Sequence, residues 1–329
     1  MVDSTTGPMV EANCLCKDYG ATHALSNLSF KIARGEVVGF LGPNGAGKTT
    51  TMKILTGFLR PTKGRALVGG VDVAQDSLSI RRRIGYLPES APLYADMMVL
   101  DFLNYVADLR AVPPEVRTER LRNIAKRCGL LEVLGKDIGH LSKGFRQRVG
   151  LAQAMVHDPD IVILDEPTSG LDPNQIVEIR DLIRELGKEK TVILSTHILS
   201  EVQASCRRVI IINDGVLVAD DTPEALAARE MGGVIRVVLK GKNGVPPDVE
   251  KVRAALAALP GVRAVESAES EGGPTLGFRL RAGKADDPRE ALFAASVAND
   301  LVLLEMHREV ASLEDTFRRL TRGEGAAHA

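Results

Sequence analysis

The chain has 329 residues, which at about 150 residues per domain corresponds to two domains. Hydrophobic residues make up 44% and charged residues 26% of the sequence, a balance typical of folded globular proteins and not of disordered chains. The 42 Lys and Arg residues are offset by 43 Asp and Glu residues, which gives a formal net charge of -1. This balance argues against a nucleic-acid partner that is bound through general neutralisation of phosphates.

The sequence also carries information about location. It has no run of about 18 apolar residues that could span a bilayer, and residues 1–10 lack the basic and apolar regions of a signal peptide. The 4 Cys residues do not have the spacing of a zinc site and are expected to be reduced thiols. We therefore expect a cytoplasmic chain that acts at a membrane only through a partner.

Up to about residue 200, short apolar runs alternate with longer amphipathic stretches. The runs at 36–41, 161–164 and 191–194 are almost continuously apolar, as expected of parallel strands covered on both faces. The intervening amphipathic stretches indicate helices, so the first part is predicted to be α/β with a mainly parallel sheet. Residues 209–212 and 216–219 flank an Asp-Gly turn, which predicts a β-hairpin.

A different pattern begins at about residue 231. Predicted strands and helices follow in the order βαββαβ, which indicates a small ferredoxin-like α+β domain. The strands are predicted at 234–239, 262–266, 276–280 and 301–306, and the helices at 249–259, 288–297 and 313–320. Ser312 is predicted to cap the closing helix with Asp315 as its acidic partner, and His307 is expected to be structural. The predicted domains are 8–230 and 231–322, with a flexible tail at 323–329.

Residues 42–49 read GPNGAGKT and fit the phosphate-loop pattern GxxxxGK[ST], between the strand at 36–41 and an amphipathic helix. The glycines allow backbone N–H groups to turn toward a phosphate, and the positive N-terminus of the helix faces the same anion. Lys48 is predicted to reach the β- and γ-phosphates of ATP and Thr49 to hold Mg²⁺. The predicted ATP-binding residues of the loop are Gly42, Pro43, Asn44, Gly45, Ala46, Gly47, Lys48, Thr49 and Thr50.

The apolar strand at 161–164 ends in two acids, Asp165 and Glu166. Ligands of open α/β sheets sit outside the carboxyl ends of the strands. Asp165 is therefore predicted to bind Mg²⁺, directly or through water, and Glu166 to polarise the water that attacks the phosphate. The phosphate loop upstream makes this interpretation much stronger than an acid at a strand end would be alone.

At this point the chain resembles the ATP-binding subunits of ABC transporters. Residues 141–147, LSKGFRQ, are similar to the LSGGQ signature of that family, and residues 169–172, SGLD, resemble its D-loop. His197 ends a predicted strand where the switch histidine of the family belongs, and Tyr19 lies in its adenine-stacking position. Together with the phosphate loop and the two acids at 165–166, these motifs occur in the family order and cover about residues 10–220. Tyr19 could also be explained by ordinary packing.

The resemblance implies that each ATP site is shared by two chains. In the family, the signature closes over the γ-phosphate held by the opposite subunit, so two chains stack head to tail around two ATP molecules. The signature residues here are Ser142, Lys143, Gly144 and Phe145. Ser142 is also a good N-cap for the helix predicted at 147–155. The family pattern further implies that His197 contacts the γ-phosphate and that Asp172, itself a helix cap before a proline, lies at the dimer interface.

The coupling loop and the signature depart from the common family pattern at three residues. The coupling loop 86–89, YLPE, carries Glu89 where Gln is usual, which offers a carboxylate to Mg²⁺ and adds negative charge near the γ-phosphate. In the signature, Lys143 replaces Gly and Phe145 replaces Gln. Both departures resemble the exporter-type, ABC-2-like ATPases, a group that includes drug-efflux and gliding-motility transporters.

The segment at about 90–157 is predicted to be the helical subdomain that meets the permease in this family. Residues 99–109 carry an apolar stripe at Val99, Phe102, Leu103, Val106 and Leu109. The loop 90–98 exposes several apolar groups that could form a groove for a short helix of a membrane subunit. Packing of these groups within the subdomain itself is the alternative.

The sequence thus predicts a P-loop NTPase sheet with an ABC-type helical subdomain, followed by a ferredoxin-like α+β domain. The predicted function is an ATP-hydrolysing subunit that uses ATP and Mg²⁺ to drive a separate integral-membrane permease, in the export direction. Its expected partners are a second ATP-binding subunit, identical or a paralogue, and the permease, which holds it at the inner face of the cell membrane. The alternatives are a soluble ABC ATPase acting on ribosomes or DNA, and a subunit that does not hydrolyse ATP.

Overall fold

The computed structural model describes residues 7–229, 234–242, 247–268, 275–283, 287–308 and 313–322. The described residues form two compact units. One contains the residues up to Pro223 together with the end of the last helix from Arg319, and the other runs from Glu224 to Arg318. The domain limits predicted from the sequence, 8–230 and 231–322, differ from this division by a few residues and stay predictions.

A six-stranded sheet forms the centre of the first unit. Its strands are β3 (Val37–Leu41), β6 (Ile84–Leu87), β7 (Ile161–Asp165), β8 (Thr191–Thr196), β9 (Arg208–Asn213) and β10 (Val216–Asp221). They lie in the order β10-β9-β3-β8-β7-β6, and every neighbouring pair except β9 and β10 is parallel. The predicted parallel sheet is therefore confirmed, and so is the hairpin, whose turn residues Asp214 and Gly215 have φ angles of 47° and 74°.

A second sheet of the first unit is antiparallel and was not predicted. It contains β1 (Val10–Tyr19), β2 (Thr22–Ile32), β4 (Lys63–Val68) and β5 (Val71–Asp72), in the order β2-β1-β4-β5. The pairing of β1 with β2 shifts register between Ala12 and Leu15, where Cys14 has a φ of 50°. Such bulges add residues to one strand and interrupt the alternation of apolar and polar side chains that identifies a strand.

Seven helices belong entirely to the described part of the first unit. They are α1 (Lys48–Leu55), α2 (Ser77–Arg83), α3 (Val99–Leu109), α4 (Pro114–Arg127), α5 (Lys143–Met155), α6 (Pro173–Leu186) and α7 (Leu199–Ser205). A further helix, α8 (Pro223–Arg229), begins where the chain passes into the second unit. No helix among the described residues is long and apolar enough to cross a membrane.

The helical subdomain differs from its prediction at two points. The apolar stripe of α3 is buried from Val99 to Val106, but Leu109 is 67% exposed because the helix ends there. Helix α5 begins at Lys143, four residues earlier than predicted, so the signature residues from Lys143 to Phe145 form its first turn. The predicted cap is confirmed, since Ser142 Oγ accepts a hydrogen bond from the backbone N–H of Phe145 at 3.3 Å.

The second unit contains the predicted βαββαβ order. Its elements are β11 (Val234–Gly241), α9 (Val249–Ala257), β12 (Val262–Ala268), β13 (Thr275–Ala282), α10 (Arg289–Ala298) and β14 (Leu301–Arg308). The antiparallel strand order β12-β13-β11-β14 is that of a ferredoxin-like fold, with Phe278 and Leu292 buried between sheet and helices. Helix α11 (Leu313–Arg322) follows, and its predicted cap, Ser312, lies outside the described residues.

One partly buried histidine of the first unit, His157, is held in its neutral form. His157 Nε2 lies 3.1 Å from Ile84 O, and its Nδ1 is buried without a hydrogen-bond partner among the described residues. A proton added to Nδ1 would therefore be buried unpaired. Burial, followed by the charge of Arg110, lowers the pKa of His157 to about 4.

Because the pKa of His157 is lowered, we predict that the folded state loses stability in mild acid. The folded pKa lies below the ordinary 6.5, so the stabilising contribution is full above pH 6.5 and is lost as the pH falls toward 4. We expect the free energy of unfolding to fall by about 2 kcal/mol from this group between pH 7 and pH 5. Urea unfolding of His157→Gln should show a correspondingly smaller pH dependence. The exposed His140→Gln is the matched control, and equal pH slopes in both variants would contradict the prediction.

Candidate functional site

The glycine-rich loop lies between β3 and α1, at the carboxyl end of the parallel sheet. Gly47 has a φ of 100°, and a Cβ at this position would be 2.7 Å from Ala24 O. A Cβ on Gly42 would clash with the backbone oxygen of Ile212. Both positions therefore require glycine for the loop to pass between β2 and β9.

This loop encloses a cavity of about 510 Å³. Its walls are Ala24, Asn44, Gly45, Ala46, Gly47, Lys48, Thr49, Thr50, Glu89, Glu166, Ser169 and His197. Gly42 and Pro43 lie behind the wall, where their carbonyl oxygens accept hydrogen bonds from Lys48 at 2.7 and 3.2 Å. The structure thus gathers the predicted phosphate loop, the second strand acid, the switch histidine and Glu89 around one space.

Lys48 places the principal positive charge in this cavity. Its Nζ lies 3.6 Å from Glu166 Oε1, and both side chains are largely buried. Burial lowers the pKa of Lys48, while the carboxylates of Glu166 and Asp165 oppose that shift. An ammonium held so close to the glycine loop can donate hydrogen bonds to phosphate oxygens that enter the cavity.

Glu166 directly follows β7 and faces the neighbouring strand β8. Its backbone has a φ of 49°, and its N–H donates to Ser195 O at 2.9 Å. Its Oε2 lies 2.9 Å from His197 Nδ1. The carboxylate therefore stands between a lysine and a histidine at the cavity wall, where it can accept a proton from a water molecule.

Asp165 provides a test of whether the residues present suit Mg²⁺. Its side chain is fully buried, and neither carboxylate oxygen has a hydrogen-bond partner among the described residues. A buried carboxylate without partners is costly unless a cation or its water shell satisfies it. The oxygen ligands that Mg²⁺ prefers are also available from Thr49 and Glu89 in the cavity wall, so the donor set fits this ion.

The signature residues do not line the phosphate cavity of their own chain. Lys143 instead lies against Gly170, where a Cβ would clash with its ammonium group. Gly144 packs against Gln175 of α6, where a Cβ would approach the side-chain carbon Cδ to 2.5 Å. Ser142 is exposed. The first turn of α5 is thus fixed against the 169–175 region of the same chain, with its cap facing outward.

A second groove, of about 390 Å³, runs beside α5. Its walls are Glu89, Ser90, Ala91, Leu93, Ala95, Ile138, Lys143, Arg146, Gln147 and Ser169. Glu89 and Ser169 therefore line both the phosphate cavity and this second groove. Of the three residues that depart from the common family pattern, Glu89 and Lys143 line this groove and Phe145 does not.

Three other predicted residues, Asp165, Tyr19 and Asp172, are not part of the cavity wall. Tyr19 ends β1 with 49% of its surface exposed, and Lys17 Nζ stands 5.3 Å from the centre of its ring. Asp172 caps α6, since its Oδ1 accepts a hydrogen bond from the N–H of Gln175 at 3.0 Å. The adenine contact of Tyr19 and the interface role of Asp172 stay predictions.

Sequence reasoning missed a buried acid next to the site. Glu201 on α7 is 2% exposed and accepts hydrogen bonds from the hydroxyls of Thr168 and Thr196. Its position in a short polar-looking segment after His197 gives no sign of burial. The sequence offers one indication of this burial. Glu201 stands beside Val202, and these two are the buried residues of α7, on the helix face turned toward the sheet.

A glycine-rich loop that lines one cavity together with a lysine, beside acids at a parallel strand end, is the arrangement of a P-loop nucleoside-triphosphate hydrolase. A family model described as ABC transporter matches residues 25–169. The uncharacterized ABC transporter ATP-binding protein YxlF of Bacillus subtilis is 37% identical over 234 residues, which are 71% of this chain and 78% of that protein. The chain belongs to the ATP-binding subunits of ABC transporters.

Further comparisons agree with this class. A second family model, described as AAA domain, putative AbiEii toxin, Type IV TA system, matches residues 137–202. The probable multidrug ABC transporter ATP-binding protein YbhF of Escherichia coli is 36% identical over 230 residues, 69% of this chain and 40% of that protein. The solved dimer of the cassette MJ0796 bound to ADP and Pi is 28% identical with a TM-score of 0.60, covering 65% of this chain and 98% of that one. The chain is accordingly an ATPase with ATP as substrate and Mg²⁺ as cofactor.

Proposed function

We propose that two copies of the ATP-binding subunit pair head to tail around two Mg-ATP molecules and drive a separate membrane permease in the export direction. The observation that carries this proposal is the position of Ser142. It caps a helix whose first turn does not line the phosphate cavity of its own chain. One chain therefore offers a phosphate loop in one place and an unused anion-binding helix start in another.

Within each site, the residues of this chain divide the work. Lys48 would hold the terminal phosphates, Thr49, Asp165 and Glu89 would hold the metal, and Glu166 would take the proton of the attacking water. Mg²⁺, when bound, neutralises charge on the phosphate oxygens. His197, 2.9 Å from Glu166, fixes the carboxylate and contacts the γ-phosphate. Catalysis then rests on positioning and on charge stabilisation rather than on a covalent intermediate.

The helix start at Ser142 can supply the missing half of a partner's site. The first N–H groups of any α-helix lack an intrahelical acceptor, and the helix dipole favours an anion beside them. Ser142 satisfies the N–H of Phe145, which leaves the amides of Lys143 and Gly144 for a phosphate. The dimeric cassette MJ0796 supports pairing of this kind.

The second groove is the proposed docking place for the permease. Leu93 lines it, and the neighbouring Tyr94 is exposed while its ring packs edge-on against Phe102 at 6.0 Å. Met98 is exposed beside it. These apolar groups suit a short helix of a membrane subunit, which would hold the chain at the inner face of the membrane. Export is proposed from the exporter-type motifs and from the relative named as a multidrug transporter protein.

Complementation between two inactive variants tests the shared site. Ser142→Asp keeps an N-capping side chain but places a negative charge at the proposed anion site. Lys48→Met removes the phosphate-binding ammonium and leaves the signature intact. If sites are shared, an equal mixture should recover roughly a quarter of the wild-type ATPase activity, because random pairing gives heterodimers with one intact site.

The matched control is Ser142→Asn, which also caps the helix without adding charge and should retain most activity. Circular dichroism should show that all variants are folded. If the mixture stayed as inactive as its two components while the wild type was active, the head-to-tail arrangement would be wrong. Activity of Ser142→Asp alone would remove the signature from the site.

A further inference from the structure

Glu201 is a buried acid with no assigned role. Its carboxylate is 2% exposed, and no cationic side chain forms an ion pair with it in the described part of the chain. Taking such a group out of water costs several kcal/mol unless hydrogen bonds compensate. Two threonine hydroxyls provide these bonds, and both of those threonines are also buried.

The two threonines belong to different elements of the catalytic site, Thr168 to the loop after β7 and Thr196 to the last position of β8. Thr196 immediately precedes His197, and its Oγ1 donates to Glu201 Oε2 at 2.8 Å while accepting from the N–H of Ile198 at 3.1 Å. Thr168 follows Glu166 by two residues and donates to the other oxygen, Glu201 Oε1. One carboxylate therefore holds the loop after β7 and the end of β8, where the next loop begins, together.

The held loops carry the pair that faces the cavity. In the first loop, Ser169 N–H donates to Glu166 O at 3.2 Å, so Thr168 lies inside the same tight turn as Glu166. In the second, Ile198 follows His197 directly. A shift of either threonine changes the 2.9 Å separation between Glu166 and His197.

We propose that Glu201 is a positioning residue for ATP hydrolysis, which acts by fixing Glu166 and His197 relative to each other. This proposal rests on the proposed role of Glu166. It goes beyond that role because Glu201 itself lines no part of the phosphate cavity. Its removal leaves the phosphate loop in place. The expected effect is therefore on turnover and not on nucleotide binding.

The test compares kcat with ATP affinity in three single variants. Thr168→Val and Thr196→Val each replace one hydroxyl by a methyl group of similar volume. Glu201→Ala removes the carboxylate. We expect kcat to fall about 10-fold in each Val variant and about 100-fold in Glu201→Ala, because misplacement of reacting groups by about 1 Å costs that much. The Kd of a fluorescent ATP analogue should stay within about threefold of wild type. Glu201→Gln keeps the shape and one acceptor oxygen, while its NH2 group can only donate to the oxygen of the second threonine, so it should recover part of kcat.

The matched control is Thr56→Val, since Thr56 is equally buried and its hydroxyl donates to Met52 O at 2.8 Å, away from both loops. If Glu201→Ala does not fold, the two Val variants carry the test. Loss of ATP affinity at unchanged kcat, or unchanged kcat in both Val variants, would overturn the proposal.

A double-mutant cycle separates positioning from general structural damage. In a Glu166→Gln background the residue to be positioned is already disabled, so Thr168→Val should lower single-turnover hydrolysis no further. An equal loss in both backgrounds would show that Thr168 acts elsewhere. An active Glu166→Gln enzyme would instead overturn the role of Glu166 in the proposed function, and the positioning role with it.

Discussion

Glu166→Gln is expected to lower ATP turnover by at least about 100-fold, the usual contribution of a general base. Gln has the same shape, so it can keep the contact with His197, but its amide cannot take a proton from water. MgATP affinity should stay within a few-fold of the wild-type value, because Lys48 and the glycine loop are untouched. Phosphate release and ATP binding measured on the same preparation would check both expectations.

The same variant should accumulate as a dimer when MgATP is present, since the closed state can no longer be resolved by hydrolysis. Light scattering after gel filtration with and without ATP would show it. Glu185→Gln, an exposed acid on α6, is the matched control and should behave as wild type. Unchanged turnover in Glu166→Gln would point to Glu89, the other carboxylate in the cavity wall.

The second large effect is expected at Lys48. Lys48→Met should weaken MgATP binding by about 100-fold, because a charge-assisted hydrogen bond to phosphate is worth about 1.5–3 kcal/mol. The variant also leaves Glu166 without the ammonium that lies 3.6 Å away, so more negative charge faces the incoming nucleotide. Isothermal titration with MgATP would measure the change.

Lys53→Met is the appropriate control for this effect. Lys53 lies on the exposed side of the same helix, so its removal changes the net charge equally without touching the cavity. We expect the ATP affinity of this variant to stay within about twofold of the wild-type value, because the charge of an exposed side chain outside the cavity is screened by salt. Equal weakening in both variants would mean that overall charge, and not the ammonium in the loop, governs binding.

The fold was predictable where local patterns match the final structure. Strand β7 is apolar up to its final acid, β8 has the apolar centre Val192–Leu194, and the Asp-Gly turn between β9 and β10 specifies its own hairpin. The antiparallel sheet could not be predicted in the same way, because β1 has repeated register shifts that break its alternation. Leu109 was assigned to the apolar stripe because periodicity does not reveal where a helix ends.

The parts of the site that lie in short sequence motifs were predictable, and the parts that depend on contacts between distant segments were not. The phosphate-loop residues follow one another in sequence, and so do the two acids at the end of β7, so the spacing within each motif carries the chemistry. Glu201 depends on a contact between α7 and two separate loops, which no local pattern encodes. The start of α5 at Lys143 was missed because Gly144 is a poor helix former, and its place in the helix follows from packing against Gln175.

Glu89 and Ser169 stand between the phosphate cavity and the second groove and form part of both. A segment seated in the groove and a nucleotide in the cavity would thus press on the same two side chains. Thermodynamic linkage makes any such effect mutual. A peptide that tightened ATP binding tenfold would itself be bound tenfold more tightly by the ATP-loaded chain. A peptide that weakened ATP binding would be bound more weakly, by the same factor, once ATP is bound.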